Sequence, residues 1–191
     1  MENSIAEAIL IRIEELLLKK SFLLVAIDGR CGSGKTTLAE AINELRGYPI
    51  VYMDHFYPRL KQRTEERLNE PGGNLDRERF LKEVMAPLLR QEPFSYRPYN
   101  PMVHDFSPPI SITPVDVVII EGSYSLHPEL ISNYDLRIFM TVDMEERIRR
   151  IRERNGEAGL EMFIEKWIPM EEHYFKTFKT EDQCDFVFDT G

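Results

Sequence analysis

Gly29-Arg30-Cys31-Gly32-Ser33-Gly34-Lys35-Thr36-Thr37 is the stretch from which the fold is read. It fits the spacing G-x-x-x-x-G-K-[ST], and both of its flanks agree with that spacing. Phe22-Leu23-Leu24-Val25-Ala26-Ile27 is a short apolar run that reads as a buried strand, and 38–45 reads as a helix. A strand, a glycine-rich turn and a helix in that order form a concave loop. Its backbone N–H groups point inward, at the positive end of a helix dipole. Gly29, Gly32 and Gly34 permit the turn and let anionic oxygens approach the main chain. All nine residues are therefore expected at a nucleoside triphosphate, with Lys35 reaching the terminal phosphates and the Thr36 hydroxyl placed for Mg²⁺. A chance glycine-rich turn beside a lysine would not explain the strand and the helix together.

The chain has 191 residues, enough for one α/β domain (1–191) with a small insertion. A net charge of −9 argues against a nucleic-acid binder, which needs a basic face, but leaves room for a small anionic ligand in a local positive pocket. There are two cysteines, Cys31 and Cys184. A disulfide at Cys31 would obstruct the loop, so a reducing, cytoplasmic location is expected. Residues 4–20 read as a leading amphipathic helix, with Ile5, Ile9, Ile13, Leu16 and Leu17 on one face. Glu7, Glu14 and Glu15 on its polar face argue against a membrane-surface role. No apolar run approaches the length of a membrane span, and nothing resembles a signal peptide. Homo-oligomerisation is left open.

Further along, 50–53 reads as a second strand ending at Asp54, and 55–76 as a long polar connection. Residues 77–90 have helical spacing with Asp76 as N-cap. The proline- and aromatic-rich segment 94–109 cannot be a central strand. It is expected to complete a cap over about 55–112, with one edge hairpin. Residues 115–120 form a third strand running into Glu121-Gly122, 128–132 a short helix and 136–142 a fourth strand. Asp143 caps a helix bearing Arg147, Arg149, Arg150, Arg152 and Arg154, broken at Gly156 and Gly159, which suits a lid over about 147–160. Residues 160–179 are helical, interrupted at Pro169, and 186–188 close the sheet. The alternation predicts an α/β fold with a doubly wound, parallel, five-stranded sheet.

Two acids stand at strand ends, the edge where α/β sheets bind ligands. Glu121 is the expected metal-side carboxylate, with Thr36. Asp54 is the expected general base for an attacking hydroxyl. A helix cap or a solvated loop acid is the plain alternative for each. On the arginine helix, Asp143–Arg147 and Glu146–Arg150 are spaced as i,i+4 pairs on a solvated face. Arg150 and Arg154 share a face leading into the Asn155-Gly156 break and are expected to stabilise charge in a phosphoryl-transfer transition state.

The loop, Asp54-His55-Phe56-Tyr57, Glu121-Gly122 and the arginine helix together resemble the uridine kinase/phosphoribulokinase family of P-loop kinases, its uridine kinase-like branch most of all. The resemblance runs from about Leu24 to Asp189. It implies ATP- and Mg²⁺-dependent phosphorylation of a small-molecule hydroxyl, with Asp54 as base and Tyr57 beside it. The family's ribose-contacting Asn-Phe-Asp segment is similar to Asn74-Leu75-Asp76, which nominates Asp76. Its pyrimidine-holding Tyr-x₄-His pair resembles Tyr99 with His104, and Arg97 lies in the same cap. Tyr124, after Glu121-Gly122, is expected in the same crevice. The acceptor implied first is uridine or cytidine. Nicotinamide riboside kinases and, more distantly, pantothenate kinases share the outline, and a regulatory ATPase without an acceptor is the alternative of another class. The family's lid usually continues into Arg-Asp and Arg-Gly-Arg, whereas Arg154-Asn155-Gly156-Glu157 stands here.

Overall fold

The structure is a computed structural model that describes residues 2–191, with side chains from Ser4 onward. Its centre is β1 (Leu23–Gly29), seven residues all buried, as the apolar run requires. On one side β1 pairs in parallel with β7 (Val117–Glu121), and β7 in turn with β2 (Ile50–Tyr52). On the other it pairs with β8 (Leu136–Thr141), and β8 with β9 (Phe186–Asp189). The five-stranded sheet therefore runs β2-β7-β1-β8-β9, all parallel.

Alternation along β1 decides which layer each residue joins. Leu23, Val25 and Ile27 pack with Ile5, Ile9 and Ile13 of α1 (Glu2–Leu17) and with Leu38 and Ile42 of α2 (Lys35–Arg46). Leu24 and Ala26 face the opposite layer, built on Phe56, Phe80, Val84, Leu88, Tyr174 and Phe175. Full burial of each such side chain stabilises the fold by about 1.5–3 kcal/mol, so a strand buried on both faces becomes the fixed frame for the loop that follows it.

Two glycines let neighbouring strand ends approach. Gly29 has φ 137°, and a Cβ there would lie 2.0 Å from Met140 O on β8. Gly122 has φ 134°, and its Cβ would lie 2.8 Å from Met53 Cβ. The phosphate loop can thus lie against the end of β8, and the Glu121 turn against Met53, only because both residues lack a side chain.

The insertion is more ordered than a polar connection suggests. Thr64 caps α3 (Glu65–Asn69), its hydroxyl accepting the Arg67 N–H. Asp76 caps α4 (Arg77–Phe80), which continues through a π turn at Leu81–Met85 into α5 (Ala86–Leu89). The expected edge hairpin is an interrupted one, separate from the main sheet. β3 (Phe94–Tyr96) pairs with β6 (Ile110–Ile112), and further out β4 (Tyr99–Asn100) pairs with β5 (Asp105–Phe106). Pro98 falls at the interruption, where no ladder N–H is needed.

Three local expectations are corrected. The segment expected as a helix at 128–132 is instead a 3₁₀ turn at Ile131–Asn133. Gly159 does not break α6 (Met144–Met162); only Gly156 departs from helical geometry, with φ 70° and ψ 178°. The chain passes through a π turn at Phe163–Trp167 into α7 (Ile168–Phe178), so the interruption expected at Pro169 is a π turn just before the proline and not a break in the helix. Among the described residues no helix is long and apolar enough to cross a membrane.

Candidate active site

A pocket of about 350 Å³ opens at the carboxyl ends of β1, β2 and β7. Its floor is the phosphate loop. Gly32 and Gly34 adopt φ 79° and 88°, and α2 begins at Lys35, so first-turn N–H groups face the space where an anion would sit. Lys35 is nearly buried, its ammonium donating to Gly29 O at 2.9 Å and Arg30 O at 3.0 Å. Gly32, Gly34, Lys35, Thr36 and Thr37 all line the pocket.

Arg30 turns elsewhere, whereas Cys31 stays on the pocket lining. Arg30 donates to Glu172 at 2.9 and 3.2 Å and to Thr141 Oγ1 at 2.8 Å. Cys31 gives its N–H to Glu171 Oε2 at 3.0 Å, and its sulfur lies 3.3 Å from Arg147 nitrogens. Burial pushes the Cys31 thiol up to about 12, so it is a neutral thiol. Ser33 is fully buried, and its carbonyl accepts from Thr190 Oγ1.

Glu121, the last residue of β7, accepts the Thr36 hydroxyl at 3.2 Å. Burial lifts its carboxyl to about 7; Asp54 and Asp28 push it the same way, and Lys35 and the Thr36 hydrogen bond oppose. Asp54 lies in the 3₁₀ turn Met53–His55 that follows β2. Its side chain keeps contact with solvent at the pocket, yet the surrounding protein raises its pKa; Glu171 adds to the rise, and Lys35 and Arg154 oppose it.

The donor chemistry suits a hard cation. A hydroxyl from Thr36 and carboxylates from Glu121 and Asp54 share one pocket, and a divalent ion would relieve the buried Glu121 charge. Among the described residues no three His, Cys, Asp or Glu side chains form a self-sufficient metal site, so phosphate oxygens and water would have to complete an octahedral shell.

The lid arginines divide. Arg147, read from sequence as paired with Asp143 on a solvated face, is fully buried and meets Glu171 at 2.6 Å and Glu172 at 2.7 Å. Asp143 is instead the N-cap of α6, accepting the N–H groups of Glu145 and Glu146. The Arg147 face of the helix carries Ile151, which packs with Leu160, Ile168 and Cys31, and this contact turns it inward. Glu146–Arg150 does pair, at 2.7 Å. Arg150 also grips Gly32 O at 3.1 Å and Thr190 O at 2.6 Å while lining the pocket. Arg154 lines it as well, with its guanidinium 5.6 Å from the Phe163 ring centroid. The first half of the expected lid is therefore docked on the loop, and beyond the kink at Gly156 the chain packs back against Cys31 and Ile151 through Leu160 and Ile168.

Of the acceptor-side nominees, Tyr57 and Tyr124 line the pocket. Asp76 is not among the lining residues; it accepts the Arg79 N–H as N-cap and faces Arg59 at 3.6 Å, while its neighbours Asn74 and Leu75 do line the pocket. Arg97, Tyr99 and His104 also lie outside the lining. Arg97 holds Phe106 O and Ser107 O, Tyr99 is buried edge-on against Phe106, and His104 stands exposed near the hairpin tip.

Several residues at this site were not nominated from sequence. Asp28, fully buried beneath the loop, accepts from the N–H groups of Gly29, Tyr124 and Leu126 and from Tyr174 Oη. Burial raises it to about 6. The available signal was an acid ending an otherwise apolar strand. Glu171 accepts from Ser123 Oγ at 2.6 Å as well as from Cys31 and Arg147, and so joins α7 to both strand-end turns. Trp167, Phe163 and Asn74 also line the pocket.

A parallel sheet with this strand order, a glycine-rich loop opening α2 and an acid at the neighbouring strand end define a P-loop kinase. No family model matches the chain. Among curated proteins it is 30% identical to the uridine kinase of Mycoplasma genitalium over 175 residues, covering 82% of this chain and 81% of that one. It is 27% identical to the uridine kinase of Anoxybacillus flavithermus over 191 residues, covering 91% and 89%. A solved structure described as a possible uridine kinase from Bacillus stearothermophilus shares the fold with a TM-score of 0.71, at 22% identity over 99% of this chain and 100% of the other. The chain belongs to the uridine kinase family of P-loop kinases.

Proposed function

We propose that the protein transfers the terminal phosphoryl group of ATP to a hydroxyl of a small molecule in an Mg²⁺-dependent reaction, with uridine or cytidine as the first acceptors to test. The observation that carries this reading is the sharing of one pocket by Asp54, Lys35 and the Thr36–Glu121 pair. The uridine kinase relatives support the choice of acceptor.

In this reading the loop amides bind the phosphates, and the Lys35 ammonium exchanges its two carbonyl partners for phosphate oxygens. Thr36 and Glu121 hold the ion, whose charge offsets that of the phosphates. Asp54 orients the acceptor hydroxyl and takes its proton, a task helped by its raised pKa. Arg150 and Arg154 face the charge that spreads over the transferred group, and closure around them excludes water that would otherwise hydrolyse ATP.

Asp54→Asn should abolish transfer and leave ATP affinity nearly unchanged, measured by coupled ADP release and by nucleotide titration. Wild-type turnover in the variant would remove Asp54 as the base. Because Tyr99 and His104 lie outside the pocket lining, the acceptor panel should include nicotinamide riboside and pantothenate beside the pyrimidine nucleosides. ADP release that no acceptor stimulates would favour a regulatory ATPase instead.

A further inference from the structure

Tyr99 and His104, which the family resemblance associates with ring recognition, lie outside the pocket lining, Tyr99 packed against Phe106 and His104 exposed. The pocket nevertheless has an aromatic wall. Tyr57 comes from the segment after β2, and Phe163 and Trp167 come from the π turn between α6 and α7. Trp167 is the single tryptophan of the chain. Its ring centroid lies 6.4 Å from that of Tyr57 at an interplanar angle of 48°, so the two rings form a wedge. Both are only half-buried, which leaves part of each ring's apolar surface on the pocket wall. Lys166 Nζ lies 4.8 Å from the Trp167 ring centroid and helps to fix the ring's position. Asn74, 4% exposed, lines the same pocket, and its Oδ1 has no hydrogen-bond partner among the described residues. An aromatic wall in a pocket that also holds polar side chains suits a planar ring that carries hydrogen-bonding groups at its edge.

We infer that Trp167, with Tyr57, is the ring-binding surface of the acceptor site, so that ring recognition resides at the junction of α6 with α7. The inference rests on the kinase reading above for the word acceptor, but ring binding itself can be measured without turnover. Residues before Gly156 are tied to the phosphate loop through Arg147 and Arg150, whereas Phe163 and Trp167 lie beyond the kink. A ring packed on Trp167 thus engages a different segment from the one that grips the loop.

The experiment pairs kinetics with the fluorescence of the single tryptophan. Acceptor-dependent ADP release is measured with uridine, cytidine and nicotinamide riboside as ringed compounds, and with pantothenate and glycerol as compounds without an aromatic ring. For whichever ringed compound is used, Trp167→Ala should raise its KM by about tenfold or more, as loss of a base-stacking aromatic does. The KM for ATP should stay within twofold, and Trp167→Phe should recover most of the loss. In the unmodified protein, the same ringed compound added without nucleotide should change the tryptophan emission, and pantothenate and glycerol should not. An acceptor KM left within twofold by Trp167→Ala overturns the inference, as does best use of an acceptor without a ring. So does a KM raised by His104→Ala and not by Trp167→Ala. Should Trp167→Ala fail to fold, the fluorescence titration decides, and an unchanged emission at saturating acceptor overturns it. If no compound stimulates ADP release, the kinase reading fails. A fluorescence response confined to ringed compounds would then still support the ring site, and its absence would overturn that too.

Discussion

Glu121 shows how burial of a charge serves a site at the expense of stability. Its folded-state pKa of about 7 lies above the ordinary 4.5, because desolvation disfavours the carboxylate. Between those values the native protein keeps a proton that the unfolded chain has released. Stability therefore falls as pH rises through this window and is flat above it, for a total of about 3 kcal/mol at most. Glu121→Gln should accordingly be more stable than the wild type at pH 8 and nearly equal to it at pH 4.5, while losing Mg²⁺-dependent activity. Thermal unfolding at the two pH values measures this, and a Gln variant no more stable at pH 8 would sink the account. Asp28 is also raised by burial, to about 6, but three backbone N–H groups and a tyrosine hydroxyl point at it. For Asp28 the hydrogen bonds oppose the desolvation cost and hold two strand-end turns together, so its carboxylate is structural where that of Glu121 is available to a ligand.

At the scale of elements, the junction of α6 with α7 matters most. Arg147 and Glu171 are both buried, and removing one partner leaves the other charge uncompensated. Arg147→Ala should therefore cost about 3–5 kcal/mol, read by chemical denaturation. A loss below 1 kcal/mol would mean that the pair contributes little. Little near Arg147 in the chain announces this burial. Of its two i±4 neighbours Asp143 is charged and only Ile151 is apolar, and the acid that draws it inward arrives 24 residues later, on another helix. The strand–loop–helix unit at Gly29, by contrast, was legible because every part of its signal is local: an apolar run, glycines where φ is positive, and helical spacing. The hairpin shows the intermediate case. Its prolines and aromatics announced a structure outside the central sheet, but the direction in which Tyr99 and His104 face depends on packing against Phe106 and on the turn at its tip, which no spacing rule supplies.

For the whole molecule, the strand order carries function directly. The chain leaves β1, passes over the position later filled by β7 to form β2, returns, and then crosses to β8 on the far side. That reversal opens the crevice at the carboxyl edge, and the alternation of strands and helices sufficed to foresee it. Since the loop binds only when folded, ATP with Mg²⁺ at a hundred times its Kd should add about 2.7 kcal/mol of stability, raising Tm by roughly 5–10 °C. A thermal shift assay that finds no such rise would contradict the pocket assignment. The buried pairing of Arg147 with the adjacent acids on α7 also constrains descent. A lineage cannot lose one charge by a single neutral substitution, because the intermediate strands an ion inside the protein. An apolar pair of similar volume would fit the same space. Homologous sequences should thus change position 147 together with 171, as correlated exchanges between a salt-bridged and an oily interior, while exposed Arg149 and Arg152 drift independently.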